Sequence, residues 1–201
     1  GNKKVGVFGA TSLVGRCLLP LLVKSGWNVK AYSRREVNST DPGIQWVQIP
    51  KSPDDLHGPA CESDQISFWI SLAPIWILPD YFPMLVKYGA RRIVVVSSTS
   101  IFTKSHSGSA EEKSTALKLS TAETRLEQWS AETGIEWIVL RPTLIYGRGM
   151  DKNITEIVQM IRRLGFFPLL GKGSGLRQPV HAEDVALACL SALEKTDIVN
   201  R

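Results

Sequence analysis

The sequence predicts an α/β fold, a doubly wound parallel sheet with helices on both faces. Three observations carry that expectation. Short Val- and Ile-rich runs alternate with stretches of helical apolar spacing along the whole chain. Runs without a polar face, such as RIVVVSS at 92–98, suit strands covered on both sides. The first strand passes through a glycine turn directly into a helix, the start of a right-handed crossover.

The elements follow in order. KKVGVFG (3–9) is a β-branched run ending at glycine, the first buried strand. LVGRCLLPLLVKSG (13–26) has helical spacing and stops at Gly26, while Pro20 inside it is expected to kink or loosen it. NVKAYSR (28–34), IQWVQI (44–49) and QISFWISL (65–72) read as strands two to four. YFPMLVKYG (81–89) is a helix and RIVVVSS (92–98) the fifth strand. TKSHSGSAEEKS (103–114) is polar without an apolar period and reads as a mobile loop. TALKLSTAETRLEQWSAETG (115–134) is a long helix closed by Gly134, followed by a sixth strand, IEWIVLR (135–141). ITEIVQMIRRLG (154–165) and the amphipathic AEDVALACLSALEK (182–195) are the last helices.

With 201 residues, 43% hydrophobic and 21% charged, the chain suits one well-buried domain. No apolar run approaches the ~20 residues of a membrane span, and no leader pattern opens the chain, so a cytoplasmic protein without a membrane partner is expected. Cys17, Cys61 and Cys189 lie far apart without metal-ligand spacing, so neither a disulfide framework nor a metal site is expected, and Cys17 and Cys189 read as buried thiols. A net charge of +5 comes from basic residues spread along the chain. No recognition pattern accompanies them, so nucleic acid is set aside in favour of a small ligand carrying phosphate.

The segment GATSLVG (9–15) occupies the end of strand one and the start of helix one, where doubly wound sheets bind ligands. Gly9 allows the tight turn and Gly15 the close helix packing. Thr11, Ser12, Leu13 and Val14 present hydroxyls and free amides to a pyrophosphate at the positive helix end. Ser12 reads either as an N-cap for the amide of residue 14 or 15, or as a donor to a phosphate oxygen, and the two can alternate. Strand two ends in YSRR (32–35). Ser33, Arg34 and Arg35 leave no carboxylate for a bare ribose but supply donors for a 2′-phosphate, favouring NADP over NAD. The alternative is a pair of solvated arginines.

GATSLVG, SLAP (71–74), VVVSSTSIF (94–102), ETGIEWIVLRPTLIYGRG (132–149) and LRQPVHAEDVALA (176–188) together resemble the extended short-chain dehydrogenase/reductase superfamily. The branch is that of NAD-dependent epimerases and dehydratases acting on nucleotide sugars. The resemblance implies a Rossmann-type NAD(P)-binding domain over residues 1–201, with 142–201 opening a substrate-binding region whose lobe is minimal or truncated. It places Leu72, Ala73 and Pro74 beneath the cofactor, Ser97 beside it, and the backbone of Arg141, Pro142 and Thr143 near the nicotinamide. Ser98 matches the residue that hydrogen-bonds the reacting oxygen, Arg177 a substrate-diphosphate ligand, and His181 and Asp184 a structural pair at a helix start.

Departures are as informative. The family's Tyr-x-x-x-Lys pair performs proton transfer, yet no tyrosine lies between residues 89 and 145. Counted from Glu123, which resembles the family glutamate, the pair falls on Thr115 and Leu119. Lys118, in Ser114-x-x-x-Lys118, is one residue off, ~100° round a helix. It is either catalytic or solvated. Leu144 replaces a frequent asparagine, and the acidic residue that reads adenine is missing after Ile49. The implied function is an NADP-preferring epimerase, dehydratase or reductase with an altered catalytic pair and a small-molecule substrate such as a nucleotide sugar. The alternative is a non-catalytic NADP-binding sensor, assembly or regulatory protein. The 115–134 helix either supports a homodimer or buries its apolar face within the chain.

Overall fold

The structure, a computed structural model, describes residues 3–49, 65–99, 109–147, 159, 162–163, 178–195, 197 and 199–200. Six parallel strands form the main sheet: β1 (Lys3–Phe8), β2 (Trp27–Ser33), β3 (Ile44–Gln48), β4 (Phe68–Ser71), β5 (Arg92–Val96) and β6 (Glu136–Leu140). Their order is β3-β2-β1-β4-β5-β6, so the chain leaves β1 in one direction, returns, and continues outward from β4. The doubly wound fold read from the sequence is the fold observed. A separate two-stranded ladder joins β7 (Ile145–Tyr146) to β8 (Val180–His181).

Alternation along the strands divides the core. Val5, Val7, Val29, Ile70 and Val94 face a layer made by α1 (Leu13–Lys24) and the C-terminal helix (Ala182–Glu194), which bury Leu18, Leu22, Val185 and Cys189 against them. Phe8, Tyr32, Trp69, Ile93 and Val95 face the other layer. That layer is a 3₁₀ helix (Ile75–Tyr81), α2 (Phe82–Lys87) and α3 (Ala110–Thr133), making Ala182–Glu194 α4. Here Phe82 stacks on Trp129 with ring centroids 4.1 Å apart. The apolar stripe of α3 (Ala116, Leu119, Ala122, Leu126) is buried in its own chain. Burial also pushes the Cys189 thiol up to about 12, leaving it a neutral core side chain.

Element ends differ from expectation for local reasons. α3 begins at Ala110, inside the segment read as a mobile loop, because the Ser109 side chain accepts from the Glu112 amide and Glu111 and Glu112 favour the positive helix end. α1 runs unbroken through Pro20, which sits on its exposed side. The 3₁₀ helix went unread: Pro74 precedes it and Pro79 lies within it, so the backbone tightens into 3₁₀ turns before α2 starts. β4 pairs over four residues only, half the run read as a strand. Of the helix expected at 154–165, only residues 159, 162 and 163 lie within the described residues. No described helix is long and apolar enough to cross a membrane.

Candidate functional site

Strand order reverses between β1 and β4, and a crevice opens at their carboxyl ends. The turn at Gly9 is built for it. Gly9 has φ 68°, and a Cβ there would lie 2.5 Å from the Ala73 nitrogen and 2.7 Å from the Leu72 carbonyl carbon. Only glycine lets the β1 and β4 ends lie this close. The Leu72 amide donates to the Phe8 carbonyl at 2.9 Å and the Ser12 amide to the Gly9 carbonyl at 3.0 Å, which fixes both loops.

Ser12 is the N-cap of α1: in extended conformation, its Oγ accepts from the Gly15 amide at 3.1 Å. The ladder of α1 begins with the Arg16 amide on the Ser12 carbonyl. The helix itself therefore makes no use of the Leu13 and Val14 amides, the donors a helix start offers to an anion.

These loops bound a cleft of about 450 Å³. Gly9, Thr11 and Ser12 line it from the β1–α1 turn, Ser33 and Arg34 from the end of β2, and Leu72, Ala73 and Pro74 from the end of β4. Eight residues singled out in the sequence thus converge on one cavity. Three others, Leu13, Val14 and Gly15, stand in the first turn of the adjoining helix. Arg35 is exposed beyond the lining, and its amide donates to Ser33 Oγ at 3.1 Å, an interaction that shapes the strand end. Residues the sequence did not single out make the remaining walls. Phe8, Tyr32 and Ser71 come from strand ends, and Trp76 and Tyr81 from the unread 3₁₀ helix. The Tyr81 hydroxyl is held above its usual range, chiefly by burial, then by Asp80, with Arg34 opposing. It remains a proton donor at neutral pH.

A second polar cluster lies at the ends of β5 and β6. Ser97 Oγ donates to Glu123 Oε1 at 2.6 Å. Arg141 meets the same carboxylate through Nε at 3.1 Å to both oxygens and through Nη2 at 2.7 Å to Oε2. The Ser97 hydroxyl, expected beside a cofactor, is thus engaged by α3. Ser98 lies between two rungs that prolong the sheet, Ser97 amide to Leu140 carbonyl at 2.8 Å and Thr99 amide to Pro142 carbonyl at 3.1 Å. The Thr143 hydroxyl donates to the Gln178 carbonyl. Ser97, Ser98, Pro142 and Thr143 accordingly form a neighbourhood of their own, outside the cleft lining.

The face of α3 follows the helical count. Leu119 is buried, Thr115 donates to the Glu111 carbonyl at 3.0 Å, and Ser114 and Lys118 are exposed. Lys118 is therefore turned to solvent and does not line the cleft. Arg177 lies outside the described residues. His181 caps α4 by accepting from the Glu183 amide at 3.2 Å. Its expected partner Asp184 is replaced by Glu183 because an N-cap side chain reaches the second residue of its helix.

A match to the NAD dependent epimerase/dehydratase family covers residues 82–200. An uncharacterized protein of Mycobacterium tuberculosis is 24% identical over 97% of this chain, which spans about one fifth of that relative (20%). Among solved structures, UDP-glucuronic acid 4-epimerase from Bacillus cereus in complex with NAD superposes with a TM-score of 0.78 at 14% identity, covering 98% of this chain and 76% of that one. Yeast methylglyoxal/isovaleraldehyde reductase Gre2 complexed with NADPH gives 0.66 at 17% identity, covering 98% and 73%. At such identities these likenesses concern the fold.

Proposed function

The chain belongs to the NAD dependent epimerase/dehydratase family, and we propose that it binds NADP in the cleft between β1 and β4. On this reading it serves an epimerase, dehydratase or reductase reaction on a small substrate of the nucleotide-sugar kind. The observation that carries the reading is the convergence of three separate loops, Gly9–Ser12, Ser33–Arg34 and Leu72–Pro74, on one cavity at the switch point of the sheet. The amides of Leu13 and Val14 and the hydroxyl of Thr11 would hold the pyrophosphate. Arg34 and Ser33 would hold a 2′-phosphate, for which a guanidinium fork is suited. The bound dinucleotide supplies hydride transfer. Ser98 would orient a substrate oxygen beyond the second cluster, and Arg177 would meet a substrate phosphate.

Isothermal titration of the full chain with NADPH and NADH tests the cofactor. NADPH is expected to bind at least about tenfold more tightly, and Arg34→Ala to erase the difference, since a charge-assisted hydrogen bond contributes about 1.5–3 kcal/mol. Equal affinities in the wild type would sink the phosphate argument.

A second reading is binding without turnover, as in a sensor, assembly or regulatory protein. It is favoured by one observation: the family lysine position is Leu119, buried in the core, and Lys118 faces solvent. Lys118→Ala is expected to leave NADPH affinity, and any sugar-nucleotide turnover, within about twofold, because an exposed lysine contributes little to a site it does not line. Turnover lost with binding intact would make Lys118 the proton-transfer group.

A further inference from the structure

We propose that Glu123 is a positioning residue for the second half of the dinucleotide. By gripping Ser97 and Arg141 together it sets the two strand-end loops, at Ser98 and at Pro142–Thr143, that receive the nicotinamide nucleoside. The inference rests on the reading of the cleft as an NADP site.

The sheet fixes where that half must go. In the proposed pose the pyrophosphate lies at the start of α1, after β1, and the 2′-phosphate at the end of β2. β2 stands on one side of β1, while β4, β5 and β6 follow on the other. A dinucleotide that straddles the switch point therefore sends its remaining nucleoside past the end of β4, towards those of β5 and β6. The cluster of Ser97, Arg141 and Glu123 stands there.

The brace comes from α3. Thr115, Leu119 and Glu123 recur every four residues and share one row of the helix. Leu119 is buried and the Thr115 hydroxyl is turned back onto the Glu111 carbonyl, so Glu123 is what this row offers the strand ends. Its side chain is only 11% exposed. A carboxylate so enclosed is costly unless donors meet both its oxygens. Here the Ser97 hydroxyl and the Arg141 guanidinium do so. That guanidinium is a planar fork with fixed donors, so holding it also fixes the direction of the Arg141 side chain.

The effect passes to the backbone on either side. Ser97 precedes Ser98, and Arg141 precedes Pro142. The Thr99 amide and hydroxyl both donate to the Pro142 carbonyl, at 3.1 and 3.4 Å. Ser98 is thus held through both neighbours, by a residue that Glu123 grips and by a rung to the residue after Arg141. Without the carboxylate the two loops lose their common anchor. The Gly9–Ser12 and Ser33–Arg35 loops keep theirs, because their hydrogen bonds are internal.

That asymmetry gives the test. Isothermal titration of the full chain with NADPH, and with 2′,5′-ADP as the adenosine half alone, reads the two halves of the site separately. Glu123→Gln keeps the shape of the side chain but turns an amide donor onto the Ser97 and Arg141 donors. It is expected to weaken NADPH by about tenfold and to leave 2′,5′-ADP within about twofold, the scale of one charge-assisted hydrogen bond lost from one half of the site. Arg141→Lys keeps the charge, loses the fork and should show the same split. It carries the test if the unliganded melting curve shows Glu123→Gln to be unfolded. Equal losses for the two ligands would mean a general loosening of the domain, and unchanged NADPH affinity would make the cluster a brace of the fold alone. Either result overturns the inference and leaves the NADP site standing. Failure of the wild type to bind either ligand overturns the site itself, and this inference with it.

Discussion

Arg92→Leu is expected to lower stability by about 3 kcal/mol, and the midpoint of thermal unfolding by roughly 6–12 °C for a domain of this size. Arg92 opens β5 and is only 6% exposed. Its Nε donates to Glu136 Oε2 at 2.7 Å, and its Nη1 to the Leu193 carbonyl at 3.1 Å and to the Lys195 carbonyl. One guanidinium thus ties β5 to β6 and also satisfies carbonyls at the end of α4, where a cation meets the negative end of the helix. Leucine fills much of the volume but leaves those carbonyls unpaired. The Glu136 side chain is 42% exposed, so water takes over its half of the ion pair. That keeps the loss near the lower end of the ~3–5 kcal/mol seen when a buried pair loses one partner. Arg92→Lys should recover only part, because an ammonium cannot span both the carboxylate and the helix end. Differential scanning calorimetry decides it: a midpoint within about 2 °C of wild type would mean the network contributes nothing net.

How much of this was legible in the sequence follows the range of the forces involved. Strand positions were, because Val and Ile runs such as 92–96 record burial on both faces locally. The glycine turn was legible too, since Gly9 and Gly15 answer to contacts a few residues away or at the neighbouring strand end. Helix starts were less so: Ser109 looked like one more polar loop residue until its hydroxyl was seen to cap Glu112. What could not be read depends on sheet register. Ser71 is an ordinary strand-end serine in the sequence, and becomes a buried orphan only because β1 and β5 enclose it. Arg92 read as a basic residue in a strand run, and its partners lie 44 and 101 residues downstream. Glu123 could be placed by family spacing, yet its grip on Ser97 and Arg141 required α3 to cross both strand ends. The 3₁₀ helix was missed because PIWILPDY has no helical period to read. With it went Trp76, one of the aromatic residues that line the cleft.

Gly15→Ala should reduce NADPH affinity by tenfold or more and lower the melting midpoint by roughly 2–12 °C, an overpacking loss of about 1–3 kcal/mol. Helix propensity alone argues the other way, since alanine is favoured over glycine by about 1 kcal/mol in a helix interior. The clash decides the sign. A Cβ at Gly15 would lie 2.2 Å from the Ala10 carbonyl oxygen and 2.6 Å from its carbon. Both are backbone atoms of the turn, so no side chain can rotate to make room. The start of α1 must back away from the end of β1, taking with it the Ser12 cap and the Leu13 and Val14 amides proposed to meet the pyrophosphate. Affinity and stability should therefore fall together. Gly26→Ala separates the two effects: Gly26 has φ 81° with nothing within 4 Å of a Cβ, so alanine there meets left-handed backbone strain of about 1–2 kcal/mol and no neighbour. It should lower the melting midpoint while leaving NADPH affinity unchanged. If Gly15→Ala instead binds NADPH as tightly as wild type, the pyrophosphate is not held at the start of α1, and the close packing of Gly15 on Ala10 is a feature of the fold alone.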